Sequence, residues 1–352
     1  MIDARSFTIL VLVTSAAGTA HATTLETVPV ANPGNPSDTV NGKSFGAVGY
    51  AYNIGKYEVT VGQYTAFLNA VAATDTYGLY DAQMASDLNI AGIARSGSAP
   101  NYNYNVIGSP NHPVTYVSWG DAARFTNWLH NGQPTGPQSS TTTESGAYAL
   151  NGAVTDASLI AVPRSASAKW FLPTENEWYK AAYHQPAAQG GDSDGYWQFP
   201  MKTNDVPYSD QPPGDTPDNT RVGNFRGDPD GFAVTGKPDY DSSQNYLTDV
   251  GAYVSSPSYY GTFDQGGNVG EWTQPSQGDS ACPVRGASWF DLNGSYTSAY
   301  IRVLISPTTQ SPDFGFRVAA IAPEPTMLCF VALAWASEFV MKRRRRGRSA
   351  TC

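Results

Sequence analysis

The sequence has little cysteine, and this shortage limits what the chain can be. Its 352 residues include three cysteines, and two of these, Cys329 and Cys352, lie in the C-terminal tail. Cys282 is therefore the one thiol in the body of the chain, which excludes a disulfide framework there. A lone buried cysteine behaves as a small hydrophobe. We expect Cys282 to be inert, and a reactive thiol is the alternative.

Positive charge is also scarce. Between residues 23 and 322 the chain has 27 acidic side chains against 14 basic ones. An acidic body repels phosphate backbones and anionic headgroups, so we expect no nucleic acid and no anionic membrane surface as its partner. Cation binding suits this charge better.

Several common catalytic motifs are missing. The chain has no phosphate-binding loop and no HExxH helix. Its body histidines, His112, His130 and His184, fall in three separate segments. Scattered histidines are more often structural than metal-binding, so we do not expect an iron site built from them.

The N-terminal residues read as a targeting segment followed by a linker. Residues 1–22 combine Arg5, the apolar run Phe7–Val13 and a small-residue cleavage site at Ala20–Ala22. That order is typical of a secretory signal. Residues 23–47 are rich in Pro, Asn, Gly and Ser, which predicts a linker.

Three helices are predicted from caps and apolar spacing. Thr60, Ser118 and Thr174 are placed as N-caps. The apolar positions that follow them at helical spacing are Val61, Tyr64, Leu68 and Val71, then Ala122, Phe125 and Leu129, then Trp178, Ala181 and Ala182. Thr174 and Glu177 fit a capping box, so Glu175 and Glu177 need no catalytic role.

The remaining long segments are polar and contain much Gly, Pro, Asn and Tyr. Residues 74–110, 133–160 and 185–245 show no clear period. We expect loops there, since such composition favours turns over long helices.

The stretch Gly261–Trp272 has the strongest metal-ligating chemistry. Its sequence, GTFDQGGNVGEW, places Asp264 and Glu271 seven residues apart with an Asn and three glycines between them. Glycines permit tight turns with positive φ, and carboxylate, carbonyl and amide oxygens suit a hard cation such as Ca²⁺. A surface turn with two solvated acids is the alternative.

Several motifs, in order, resemble the formylglycine-generating enzyme family, also called the sulfatase-modifying-factor family. The two most specific are Asn268–Trp272, which is similar to "GNVWEW", and Leu172–Trp178, which is similar to "RLPTEAEWE". The weaker ones are YEVTVGQYTAFLNAV at Tyr57–Val71, the PVxxVSWxDAxxFxxW pattern ending at Trp128, RGASW at Arg285–Trp289 and GFR at Gly315–Arg317.

The resemblance implies a fold and a metal site. The fold would be α+β, related to the C-type lectin-like fold, irregular, with long loops and few short helices, over residues 48–321. Carried over by position, the Ca²⁺ ligands would be Asp264, the carbonyls of Gly267 and Val269, and Glu271. Gly270 departs from the family, which usually has Trp there.

Other polar residues in these segments also have expected roles, and only the second Ca²⁺ below comes from the resemblance. Glu58 is expected to be a structural acid beside a helix start, with a functional acid as the alternative. Arg285 and Arg317 are expected to clamp loops through bidentate bonds. The residues considered for a second Ca²⁺ are Asn224, Asp228 and Asp230.

The positions where the family's catalysis would occur are changed. The family's formylglycine-forming activity resembles a copper-thiolate reaction. That reaction needs two cysteines five residues apart. The matching positions, counted from Ser288, are Asp291 and Tyr296. A soft Cu(I) ion needs sulfur ligands, so we expect no Cu, and the scattered histidines lead us to expect no Fe. The leading hypothesis is a non-catalytic, Ca²⁺-stabilised module that binds an extracellular protein or glycan. The alternative is a metal-dependent oxidoreductase of the same family.

The C-terminal residues 322–352 form a separate tail. Pro323-Glu324-Pro325 precedes the apolar run Met327–Met341, which is marginal for a membrane span, and then a basic cluster begins at Lys342. This order resembles a PEP-CTERM sorting tail. The resemblance implies membrane attachment before processing by an exosortase, and delivery to the envelope or exterior of a Gram-negative-type cell.

Overall fold

The computed structural model describes residues 22–214, 219–227, 231–276 and 278–322. The predicted signal segment and the sorting tail lie outside the described residues, apart from Ala22 and Ala322 at their ends. Asp228 and Asp230 also lie outside them. Among the residues described, no helix has the length and apolar run needed to cross a membrane.

The described residues form five α-helices and three short 3-10 helices. The α-helices are α1 (Val61–Val71), α2 (Gln83–Ser86), α3 (Trp119–His130), α4 (Asp156–Ile160) and α5 (Glu175–Tyr183). The 3-10 helices are Ala187–Gln189, Asn219–Arg221 and Gly294–Thr297.

The strands are short. In chain order they are β1 (Thr27–Val30), β2 (Asp38–Val40), β3 (Lys43–Phe45), β4 (Tyr52–Gly55), β5 (Ile93–Ser96), β6 (Asn103–Val106), β7 (Trp170–Phe171), β8 (Tyr208–Ser209), β9 (Val222–Gly223), β10 (Arg226–Gly227), β11 (Gly231–Phe232), β12 (Gly270–Trp272), β13 (Cys282–Arg285), β14 (Val303–Ile305), β15 (Phe314–Gly315) and β16 (Ala319–Ile321).

Two four-stranded sheets organise the domain. The first has the order β1-β4-β16-β7, so the last described strand pairs with β4 near the start of the chain, with Ala319 opposite Ile54. The second has the order β14-β13-β12-β15, and β12 and β15 run parallel. Both chain ends of the domain therefore meet in one sheet, and the predicted α+β class is confirmed.

The three predicted helix starts are confirmed. Thr60, Ser118 and Thr174 each accept a bond from the third helical backbone N–H, and each belongs to a complete capping box. A capping box satisfies two backbone donors that the first turn leaves without partners. The local sequence was therefore sufficient to fix these starts.

An aromatic core joins α1 to α3. The Phe125 ring packs against Phe67 and Phe316, with centroids 5.3 and 5.4 Å apart, and Tyr64 stacks on it at 6.0 Å. Aromatic pairs at these spacings add stability beyond the area they bury. The apolar positions predicted for the three helices are all buried.

The linker prediction for residues 23–47 is wrong. This segment contains β1, which pairs with β4, and Val30 is fully buried. Asn41 and Gly42 have φ values of +52° and +73° and close a tight turn between β2 and β3. Asn-Gly is a strong hairpin signal. The high turn content of the segment therefore reflects short strands with tight connections.

All three predicted loops contain regular structure, although residues 185–245 have only two 3-10 helices and the two-residue strands β8 to β11. Residues 74–110 include α2 and the β5-β6 hairpin, and the Asn69 side chain binds both backbone groups of Tyr104 in β6. Residues 133–160 end in α4, which has its own capping box. These elements are at most five residues long, so they show too little periodicity to be recognised in the sequence.

Candidate functional site

The glycine-rich stretch forms a tightly turned segment that leads into β12. Asp264 and Asn268 have φ values of +58° and +61°, and Gly267 has a φ of +105°. A Cβ on Gly267 would lie 2.5 Å from the carbonyl oxygen of Asn224. Only glycine fits there without displacement, because positive φ and close backbone approach coincide.

Asn268 fixes this segment to its neighbours. Its Oδ1 accepts from Asn224 Nδ2 at 3.0 Å and from the backbone N–H of Thr248 at 3.2 Å. Its backbone N–H donates to the Asn224 carbonyl at 2.7 Å, and its carbonyl accepts from Trp289 at 2.9 Å. Asn224, expected as a possible ligand of a second metal, therefore uses its amide group to hold Asn268.

Glu271 points into the protein and pairs with Arg317. Both side chains are fully buried, and Nε and Nη2 of Arg317 donate to the two carboxylate oxygens at 2.6 Å each. Oε2 also accepts from Trp178 Nε1 at 2.8 Å. Oε1 accepts one N–H, so it retains acceptor capacity. The carboxylate is fixed in place and can still offer one oxygen to a cation.

The Arg317 guanidinium joins three chain segments. Besides its two bonds to Glu271, Nη1 donates to the carbonyls of Gly55 and Lys56 at 2.9 and 3.4 Å, and Nη2 donates to the carbonyl of Phe263 at 2.8 Å. A guanidinium has five N–H donors, and all five have acceptors here. The predicted role of Arg317 as a loop clamp is confirmed.

Glu58 lies beside this pair and has no partner. Its side chain is 2% exposed, and neither carboxylate oxygen has a hydrogen-bond partner among the described residues. Burial, followed by the charge of Asp264, raises the pKa of Glu58 well above its ordinary value. A buried carboxylate without a partner is costly in its charged form, and the raised pKa of Glu58 reflects this cost.

Asp264 is the neighbouring acid. Its Oδ2 accepts from the backbone N–H of Gly251 at 2.5 Å. Burial raises the pKa of Asp264 to about 6, although the Gly251 N–H and the Arg317 charge oppose the rise. We call Glu58, Asp264, Glu271 and Arg317 the buried carboxylate cluster.

The residues expected as calcium ligands thus lie on one short segment. Asp264 and Glu271 belong to the buried carboxylate cluster, and Gly267 and Val269 lie between them in sequence, both buried. The described part of the chain contains no group of three or more His, Cys, Asp and Glu side chains arranged to hold a metal. A cation here would therefore also need backbone or water oxygens, which Ca²⁺ accepts readily.

Sequence reasoning did not place Glu58 in this cluster. The segments come together through backbone bonds, because Phe263 donates to Lys56 at 2.9 Å and Val59 donates to Phe316 at 2.8 Å. The available signal was the acid of the YEVT motif itself, but its partners lie in distant parts of the sequence.

The two positions that match the family's thiols carry other side chains. Asp291 Oδ2 accepts from the backbone N–H and hydroxyl of Ser288 at 2.8 and 2.9 Å. Tyr296 lies in the 3-10 helix after β13 and is 37% exposed. Cys282 is fully buried in β13, and burial raises the pKa of its thiol, which supports the inert interpretation.

An exposed aromatic surface flanks Asp291. Tyr240, Phe290 and Leu292 are each about half exposed, and we call these three residues the aromatic surface. The Tyr240 and Phe290 rings meet edge to face at 6.4 Å. Trp289 and Tyr246 stack beneath them at 5.1 Å and an interplanar angle of 1°. Buried rings therefore hold the exposed ones in place.

The three body histidines have separate surroundings. His112 Nε2 lies 3.6 Å from Asp249, and His130 Nδ1 accepts from the backbone N–H of Lys169 at 3.1 Å. His184 Nδ1 lies 2.7 Å from the Tyr260 hydroxyl. Each histidine therefore has its own structural partner.

Arg285 has the clamping role expected of it. Its Nε donates to Glu175 Oε1 at 2.8 Å, and its Nη1 donates to the carbonyls of Ala299 and Ile301 at 2.9 and 2.8 Å. Arg302 binds the same Glu175 carboxylate. The Glu175 carboxylate thus binds two guanidinium groups.

Comparison with known proteins identifies the family. The family model of the sulfatase-modifying factor enzyme 1-like domain matches residues 19–322. The chain therefore belongs to this family, as the motifs indicated. A search of curated protein sequences gives no match.

Solved structures with similar folds have low sequence identity. CarF is 20% identical, with 85% of this chain and 99% of that chain covered and a TM-score of 0.47. Treponema denticola variable protein 1 is 18% identical, with 86% and 98% covered and a TM-score of 0.47. PvdO from Pseudomonas aeruginosa is 16% identical, with 85% and 92% covered and a TM-score of 0.44.

Proposed function

We propose that this protein is an exported, Ca²⁺-stabilised domain of the sulfatase-modifying-factor family that binds an extracellular ligand without catalysing oxidation. The observation that carries the proposal is the side-chain chemistry at the two thiol positions, where Asp291 and Tyr296 stand. Carboxylate and phenol groups cannot form a disulfide or supply thiolate ligands to Cu(I). Asp291 is further committed to Ser288.

The aromatic surface supports a binding role. Exposed rings held by a buried stack offer apolar area with little conformational freedom to lose, a feature that favours recognition. Tyr240 and Phe290 present such rings, and the Asp291 carboxylate lies next to Phe290 in the chain. The apolar C–H face of a sugar ring, with its hydroxyl groups, fits this combination of aromatic and polar groups. A protein ligand is the alternative, and binding assays separate the two.

Calcium would stabilise the scaffold rather than carry out chemistry. Asp264, the carbonyls of Gly267 and Val269, and Glu271 would hold the ion. Both oxygens of Glu58 lack a hydrogen-bond partner among the described residues, and Asp264 adds a second carboxylate, so the donor chemistry fits a hard cation. The ion would tie the turn before β12 to the rest of the domain.

Export rests on the two ends of the chain. The signal-like residues 1–22 and the tail 322–352 predict secretion followed by sorting at the cell envelope. N-terminal sequencing of protein from the envelope fraction tests the first step, and we expect the mature chain to begin at Thr23.

The decisive test of the functional proposal is an oxidation assay. The purified chain is incubated with Cu(I) and a Cys-containing peptide, and aldehyde formation is followed by mass spectrometry. We expect no conversion by the wild type. Copper-dependent conversion would overturn the proposal, and stoichiometric iron or copper in the purified protein would favour the oxidoreductase alternative.

Binding is tested through tryptophan fluorescence, since Trp289 lies beneath the aromatic surface. Soluble oligosaccharides of hexoses and N-acetylhexosamines are titrated into the wild type and into Phe290→Ala. A saturable fluorescence change in the wild type that is lost in Phe290→Ala would support the glycan. The control variant Val254→Ala, at an exposed site, should keep the change. A response only to envelope protein fractions would favour the protein ligand.

A further inference from the structure

We propose that a cavity beside the end of α5 binds a small monocarboxylate, whose carboxylate pairs with the buried Lys180 ammonium and accepts a hydrogen bond from His184. We call this cavity the Lys180 cavity. It shares no lining residue with the candidate cation site or with the aromatic surface. The inference therefore adds a second binding site and depends on neither the calcium nor the glycan proposal.

The cavity lies between the loop that joins β1 to β2 and the segment that follows α5. Residues 32–36 line it from the loop, and residues 184, 186–188 and 193–195 line it from the second segment. Its volume is about 450 Å³, and small-molecule sites span roughly 300–1,000 Å³. Three prolines and two alanines contribute apolar surface to the lining. A ligand with an apolar body of modest size fits such a lining.

The Lys180 ammonium is buried beside this cavity without a counter-charge. Its side chain is fully buried, and Nζ donates to the carbonyl of Asn32, a lining residue, at 2.8 Å. Among the described residues Nζ makes no other hydrogen bond and no ion pair. An ammonium has three N–H donors, so two of them remain for a ligand. Lysine is almost never fully buried unless it is paired, and this lysine lacks a carboxylate.

The protonation state suits an anion. Burial lowers the pKa of Lys180 to about 8, so at neutral pH most molecules still carry the ammonium. Burial, together with the Lys180 charge, lowers the pKa of His184 to about 4, so this imidazole is neutral at the same pH. The cavity then has one positive charge and one neutral ring at its inner side.

His184 supplies a directed N–H. Its Nδ1 lies 2.7 Å from the Tyr260 hydroxyl, which also accepts from Asn32 Nδ2 at 3.2 Å. The single hydroxyl proton is assigned to the short contact with Nδ1, since the other acceptor, the Ala31 carbonyl, is 3.4 Å away. A neutral imidazole that accepts at Nδ1 carries its own proton on Nε2. Nε2 has no hydrogen-bond partner within the described part of the chain, and His184 lines the cavity.

A carboxylate matches these two groups better than other anions do. One of its oxygens can take the charge-assisted bond from Lys180 while the other accepts from His184. An inorganic oxyanion would use the same donors but leave the apolar lining without a contact. A second carboxylate is disfavoured, because Asp194 lines the cavity at an exposed position and would repel it. The competing interpretation is a structural lysine whose two remaining N–H groups bind water.

The experiment measures binding to the full-length wild type by calorimetry and by melting temperature. The probes are benzoate, its neutral isostere benzamide, and sulfate. We expect benzoate to bind once per chain and to raise the melting temperature, benzamide to have no effect, and sulfate to bind more weakly. No saturable binding of benzoate would overturn the proposal. Equal binding of benzamide would exclude the ammonium as the recognition group, and sulfate binding as tight as benzoate would exclude the apolar lining.

A pair of variants assigns the binding to Lys180. Lys180→Met keeps the length and apolar stem of the side chain and removes an uncompensated buried charge, so we expect it to fold. It should bind benzoate about 10- to 100-fold more weakly, because a hydrogen bond to a charged group is lost. Lys43→Met is the matched control, since Lys43 is exposed in β3, and it should bind as the wild type does. Unchanged affinity of Lys180→Met would contradict the proposal.

A crystallographic experiment needs no variant. Wild-type crystals are soaked in 4-bromobenzoate, and the bromine is located by anomalous scattering. The carboxylate must lie within about 3.2 Å of Lys180 Nζ or His184 Nε2, with the bromine among the apolar lining residues. Bromine found only outside the Lys180 cavity would show that the lysine is structural and would refute the inference.

Discussion

Arg317 and Glu271 form a fully buried bidentate pair, with both N–O distances at 2.6 Å. The pair links β12 to the segment just before β16, and the same guanidinium also binds carbonyls of two other segments. The closing GFR motif supplies Arg317 and the Asn268–Trp272 motif supplies Glu271, so the two motifs meet in this ion pair. This pair positions the turn on which the candidate cation site depends.

Glu271→Gln should destabilise the protein by about 3–5 kcal/mol, because Arg317 would remain buried without a counter-charge. Urea unfolding in metal-free buffer measures the change. Glu26→Gln is the control, since Glu26 pairs with Lys56 at the surface at 3.3 Å and such pairs contribute about 0–1 kcal/mol. Equal effects of the two substitutions would contradict the central role of the buried pair.

Gly267→Ala should be much more costly than Gly42→Ala. Both glycines have positive φ, but a Cβ at position 267 meets the Asn224 carbonyl oxygen at 2.5 Å, whereas position 42 is open. Strain from φ alone costs about 1–2 kcal/mol, and the backbone clash adds to this at position 267. Unfolding free energies of the two variants test the difference, and similar values would show that the turn can relax.

Acid should weaken the protein partly through His184. Burial, together with the charge of Lys180, lowers the pKa of His184 to about 4. The unfolded chain then takes up the proton first as the pH falls below about 6.5. The contribution of His184 is therefore intact above about pH 6.5 and is lost as the pH approaches 4.

Melting temperatures near pH 7 and about pH 4.5 measure this effect. His184→Gln should lose less stability over the interval than the wild type, and an NMR titration should show a neutral imidazole down to about pH 5. His130→Gln, at a partly exposed position, is the comparison. An imidazole of His184 that titrates near 6.5 would contradict the prediction.

Cys282 should not react with thiol reagents in the folded protein. It is fully buried, and burial, with a smaller effect from Asp279, raises the pKa of its thiol, while the thiolate is the reactive form. The test uses the full chain with Cys329→Ser and Cys352→Ser, assayed by alkylation with and without urea. We expect modification only in urea. Rapid labelling of the native protein would mean that β13 opens or that the thiol is functional.

Local sequence predicted much of the fold because capping and amphipathic spacing act within a few residues. Thr60, Ser118 and Thr174 begin their helices where the sequence placed them. The β2-β3 hairpin in the predicted linker was missed although its Asn41-Gly42 turn is a recognisable signal. The β5-β6 hairpin and α4 were missed because very short elements have too few residues to establish a period.

The candidate site was only partly predictable. The sequence identified Asp264 and Glu271 through the glycine-rich stretch, and it showed that Asp291 and Tyr296 occupy the thiol positions. It could not show that both oxygens of Glu271 contact Arg317, or that Glu58 lies unpaired beside Asp264. These relations depend on contacts between segments far apart in the chain.

The sequence by itself determined the capped helices, the turn residues, the acidic charge and the missing pair of thiols, because each of these depends on side-chain chemistry or on near neighbours along the chain. Only the tertiary structure decided which charges are paired. Burial removes the solvation of every carboxylate that the fold encloses, and the limited number of guanidinium donors leaves Glu58 without a partner.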